Sequence, residues 1–147
     1  MSHVLFGVLG TLLAAALFMD IINLKDSNLK RIQIISLIVA GLMISAYLSG
    51  GYWYVVKYSA DKALINAGPW PWAHGYFMEV KEHLFFILLM LSLYLPVVTW
   101  KKNLFELEAL KKLALTVTGL TVLLGLTMDG FGAIIAMGVK MGMTGGR

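Results

Sequence analysis

From His83 to Trp100 the chain reads HLFFILLMLSLYLPVVTW, with no Asp, Glu, Lys or Arg in it. A helix needs about 20 mostly apolar residues to cross the hydrocarbon core of a bilayer, so this stretch is read as a membrane span. Three more stretches read the same way: Val4 to Leu24, Ile32 to Val56 and Leu113 to Val139. Inside lipid the backbone must satisfy its own hydrogen bonds, which makes each of them a helix. The expected fold is all-α. It is an integral membrane bundle of four antiparallel transmembrane helices, one domain over residues 1–147, with an extended outer connection between helices two and three.

Composition agrees. Hydrophobic residues make up 59% of the chain and charged residues 14%, against roughly 45–50% and roughly 25% in soluble domains. With no cysteine there is no disulfide, iron–sulfur cluster, thiolate zinc site or covalent c-type haem attachment. The net charge is +4, but its basic residues sit in loops between apolar segments. No basic patch interleaved with aromatics occurs, which argues against nucleic acid as a partner.

Orientation follows from Lys and Arg. Lys25, Lys30, Arg31, Lys101, Lys102, Lys111 and Lys112 flank the loops after spans one and three, while Lys57, Lys62, Lys81, Lys140 and Arg147 lie on the other side. Seven against five places the first group in the cytoplasm and both termini outside the cell (inner) membrane. Ala14-Ala15-Ala16 after an apolar run suggests a cleavable leader, but no basic residue precedes the run and three follow it. That is the reverse of a secretory signal, so span one is expected to stay.

The connection between spans two and three is aromatic, with Tyr52-Trp53-Tyr54 and Pro69-Trp70-Pro71-Trp72. Tyr and Trp gather where bilayer meets water, which puts this segment at the outer interface. Pro69 and Pro71 stop any helix ahead of them, and a new helix is expected near Trp72 that runs into span three. Gly119, Gly125, Gly130, Gly132, Ala133 and Ala136 in span four, with Ala40, Gly41, Ser45 and Ala46 in span two, supply narrow faces for helix packing. Gly132 with Ala136 equally suits a homo-oligomer. Pro96 is expected to kink span three or free a carbonyl there.

All three histidines fall on one predicted side: His3 opening span one, His74 in the outer connection and His83 opening span three. Ionisable groups this close to hydrocarbon are costly and are functional hypotheses by default. At 100° per residue Glu79 and His83 stack one above the other, with Glu82 on the same face. His74, nine residues before His83, faces the opposite way on a continuous helix. Two chemistries fit. Haem b would take His83 and His3 as its imidazole pair, with His74 as the alternative. A nonhaem divalent metal would take Glu79, His83 and Glu82 with another histidine. The same residues also fit a plain solvated interface with ordinary salt bridges and no cofactor.

Asp129 lies within span four, about ten residues or roughly 15 Å from its outer end. It is expected to pair with hydroxyls or tyrosines of other spans, or with Lys140 if the helix end folds back, or to relay protons from the outer site. Asp20 is expected to snorkel toward Lys25 or Arg31.

Four antiparallel spans with histidines at one side resemble the general plan of small membrane b-type cytochromes. The resemblance implies a redox subunit that passes electrons between quinol and a membrane or outer-side redox protein. A cofactor-free accessory or assembly subunit is the second expectation and a small transporter the third. Transport is disfavoured because no broken-helix pair or inverted repeat appears. No nucleophile and base stand at a readable spacing, so catalytic residues stay unassigned and a stand-alone enzyme is disfavoured.

Overall fold

The computed structural model describes residues 2–101, 104 and 106–144. Lys102 and Arg147, both counted in the charge balance, lie outside the described residues. Among the described residues every regular element is helical: α1 (Ser2–Ile22), α2 (Asp26–Ala67), a π-helical segment (Ala73–Met78), α3 (Glu79–Thr99) and α4 (Glu108–Thr144). Four of these helices, with the π segment counted as part of the third, are long and apolar enough to cross a membrane.

The turn from α1 to α2 is stitched by Asn28. Its side-chain oxygen accepts from the Lys25 N–H at 2.8 Å, and its amide donates to the carbonyls of Asn23 at 3.0 Å and Asp20 at 3.2 Å. Those carbonyls end α1 and have no partner within the helix. Arg31 Nε donates to Asp20 Oδ2 at 2.9 Å, and a second bond from the guanidinium makes the pair bidentate. The sequence expectation for Asp20 holds.

Two apolar cores form. The larger joins all four helices through Leu17, Ile32, Val39, Met43, Leu88, Leu95 and Val117, among others. A second, smaller core gathers Tyr58, Ile65, Ala73, Met78 and Ile135, walled by Trp53, Tyr54, Trp70, Phe77 and Val139. It exists because α2 and α4 are long. At 42 and 37 residues they measure about 63 and 55 Å, against roughly 30 Å for a hydrocarbon core. The connection expected to be long is therefore mostly helix. Helix α2 runs eleven residues past Val56 to Ala67 and stops at Gly68, just ahead of Pro69. The restart near Trp72 is as expected, since the Pro71 carbonyl accepts from the N–H groups of His74 and Gly75, each at 3.2 Å.

Close helix approach depends on glycines, though not all those that the sequence suggests. At Gly125 an added Cβ would run into Thr11 of α1, with the Cγ2 atom only 2.9 Å away. At Gly142 it would run into the Leu64 backbone, and at Gly138 it would lie 2.8 Å from the Ala73 Cβ. By contrast, Gly41 and Gly130 meet nothing within 4 Å.

At the opposite end from the histidines, α2 and α3 share a polar clamp. The Ser36 and Thr99 hydroxyls bond at 2.8 Å, Gln33 Nε2 donates to the Thr99 carbonyl at 3.4 Å, and Trp100 Nε1 donates to the Gln33 carbonyl at 3.2 Å. Ser36 and Thr99 are fully buried. Ser36→Ala is expected to cost about 1 kcal/mol, read as a lower melting temperature in detergent. An unchanged melting temperature would remove the clamp from the account of stability.

Candidate functional site

The site is built at the end of the helices where the second core forms, and the π-helical segment sets its geometry. On an α-helix His74 and Glu79, five residues apart, would stand about 140° apart around the axis. A π turn bonds residue i to i+5 and brings that pair onto one side. His74 Nε2 lies 3.9 Å from Glu79 Oε1 as a result. The other ring nitrogen of His74 bonds the Tyr58 hydroxyl at 3.0 Å. His74 is 6% exposed and Tyr58 2%, so this contact is sealed inside the second core. A hydroxyl both donates and accepts, so Tyr58 suits either neutral tautomer of the ring.

His83 is held differently. Its Nδ1 lies 2.8 Å from the Glu79 carbonyl oxygen. A carbonyl only accepts, so Nδ1 carries a proton and donates, and in the neutral ring Nε2 is then bare. His83 is exposed. The expected stacking of Glu79 and His83 thus joins the ring to the Glu79 backbone, while the Glu79 carboxylate turns toward His74. Glu82 lies beside the Tyr54 hydroxyl. Among the described residues no three His, Asp or Glu side chains gather closely enough to hold a metal ion between them.

His3 belongs to the same end. Its ring packs on Trp53 with centroids 5.7 Å apart, and its Cβ approaches Gly50 of α2. Trp53 packs on Tyr58 at 5.4 Å and Tyr58 on His74 at 5.7 Å, which makes an unbroken row of four rings. Trp53 and Tyr58 therefore stand between His3 and His74. Beside His3 opens a cavity of about 450 Å³ walled by Ser2, Leu48, Ser49, Tyr52, Trp53 and Lys57.

No protein family, curated protein or solved structure matches the chain.

Asp129 has a cation in its neighbourhood, Lys81. The ammonium of Lys81 reaches across from α3 to lie 3.0 Å from where Gly132 would carry a Cβ. Asp129 is three residues before Gly132 on the same helix and feels that charge, though the two are not within 4.0 Å as an ion pair. Lys81 was not among the partners expected for Asp129. A signal was present, because two residues beyond Glu79 is about 200° around an α-helix. That turns Lys81 away from the acidic face and toward α4. Tyr58 was missed as well; it follows Tyr54 by four residues, the spacing that puts both on one face.

Proposed function

We propose that this chain is a membrane redox subunit that binds haem b at its outer end through His83 and His3 and passes electrons between quinol and an outer-side partner. In this reading the four helices cross the inner membrane antiparallel, with both termini outside. Large apolar side chains stand exposed on all four helices, among them Leu12, Leu48, Val55, Phe86, Leu123 and Leu126. Water would penalise that surface by about 25 cal/mol per Å², whereas lipid accepts it.

The observation that carries the haem assignment is the His83 ring. An imidazole that ligates iron offers one nitrogen and donates the other N–H to a carbonyl or carboxylate, which fixes its tautomer and orientation. His83 has that arrangement with the Glu79 carbonyl. His3 is the proposed second ligand because it walls the cavity at the same end, with Trp53 at its edge and Lys57 placed to meet an acidic substituent. His74 is left out of the pair, since Tyr58 and the second core enclose it. The haem would supply one-electron chemistry. The protein would fix its orientation and keep it near the outer surface.

The test is a visible absorption spectrum of detergent-purified protein from haem-sufficient cells, oxidised and then reduced with dithionite. A Soret band with sharp reduced α and β bands is expected, and His83→Ala is expected to lose most of it. A colourless protein would overturn the haem reading in favour of a cofactor-free accessory subunit. Full haem occupancy in His83→Ala would show that the central ligand is wrong.

A further inference from the structure

We propose that His74 Nε2 and the Glu79 carboxylate bind a divalent metal ion of the zinc class, its remaining positions filled by water. The site does not depend on the haem reading, which rests on His83 and His3, so each can fail alone.

His74 Nε2 and the Glu79 carboxylate face each other across a gap. His74 is 6% exposed, and its Nε2 has Glu79 Oε1 at 3.9 Å, too far for a hydrogen bond. That nitrogen is not sealed from solvent, since among the described residues no buried side-chain nitrogen or oxygen lacks a hydrogen-bond partner, and an ion can therefore reach it. The gap suits an ion. Zinc binds imidazole nitrogen at about 2.0–2.1 Å and carboxylate oxygen at about 2.0–2.2 Å. These radii sum to about 4.2 Å, more than the gap, so one ion touches both atoms. A tetrahedral angle needs the two ligands closer by about 0.5 Å. Glu79 can supply that movement, because its side chain is 55% exposed.

The surroundings fit the same occupant. Metal-bound imidazoles almost always donate their second N–H to an oxygen, and that partner sets the ring's orientation. The Tyr58 hydroxyl stands 3.0 Å from His74 Nδ1 and accepts that proton without moving. Asp61, Glu79 and Glu82 all lie close enough to Tyr58 to act on it electrostatically, and their charge favours a dication over an anion. One imidazole and one carboxylate, with no sulfur, suit zinc and other borderline divalent ions. Two protein ligands are fewer than the three of catalytic zinc centres, so the expected affinity is micromolar.

Equilibrium dialysis of the full-length, detergent-purified protein against Zn²⁺ tests this. One ion per chain is expected at micromolar zinc. Glu79→Gln and His74→Gln should each weaken binding at least about tenfold, and Tyr58→Phe by about tenfold. Glu79→Gln keeps shape at an exposed position, so it decides the matter should the buried His74 variant misfold. No binding to the unmodified chain at millimolar zinc, or unchanged affinity in Glu79→Gln, would overturn the site. Loss in both ligand variants, found whether or not the protein is coloured by haem, would establish it.

Discussion

Gly142→Ala is expected to lower the stability of the protein by about 2 kcal/mol, although alanine is the better helix former. A Cβ on Gly142 would stand 2.7 Å from the Leu64 carbonyl carbon and closer still to its oxygen. The obstacle is backbone inside a continuous helix, so no rotamer relieves it. Gly68 presses on the same spot, its own Cβ direction 2.7 Å from the Gly142 Cα. Forced overpacking costs typically 1–3 kcal/mol, while exchanging glycine for alanine in a helix returns up to about 1 kcal/mol. The clash should win, and α4 should lift from the end of α2. The control is Gly130→Ala. Gly130 is exposed with nothing within 4 Å of its Cβ direction, so only the propensity gain remains. Thermal unfolding in detergent, followed by tryptophan fluorescence, should move in opposite directions for the two variants, since Trp53 and Trp70 wall the core that α4 closes. A Gly142→Ala variant as stable as the parent would mean that the two helices do not cross this closely.

Lys81→Met is expected to cost about 2 kcal/mol, and Asp129→Asn to recover part of that loss when the two are combined. Methionine replaces most of the lysine stem, so packing over Gly132 is kept and the charge is what goes. Asp129 then keeps its carboxylate on a largely apolar helix with its nearest cation removed. Removing one partner of a buried pair costs about 3–5 kcal/mol. Both groups here are partly exposed and not in contact, which argues for a smaller loss. A double-mutant cycle isolates the term, and a coupling of about 1 kcal/mol is expected. Strict additivity of the two substitutions would show that Lys81 and Asp129 act independently, and Asp129 would then need another account.

The broad architecture was legible because it rests on composition and length. Four apolar stretches stand out as helices, the prolines at 69 and 71 mark the one sharp break after α2, and Asp20 meets Arg31 as expected. The length of α2 was not legible. Beyond Val56 the chain turns polar and aromatic, which reads as an interfacial loop, but Tyr58 and Ile65 stay buried because α4 extends to meet them. That requires knowing where the end of α4 lies. For the same reason Gly138 and Gly142 escaped the reading of small residues, which centred on the middle of span four. At the candidate site the direction of the Glu79 carboxylate was not legible. At 100° per residue throughout, Glu79 would pair with His83. One π-helical segment was enough to send the carboxylate to His74 instead and leave only the backbone for His83.

That segment carries a consequence of its own. A π turn spends one more residue on each loop of the helix than an α turn does, so Ala73–Met78 amounts to a surplus residue stored inside an otherwise regular helix. Deleting a residue here would let the segment relax into an ordinary helix and rotate all that precedes it relative to α3. His74 would swing off Tyr58 and away from Glu79 with every side chain intact. What the chain has to preserve between Trp72 and Glu79 is therefore a count as much as a set of identities. In related chains, a conserved spacing there would be a more telling signature than any single conserved letter.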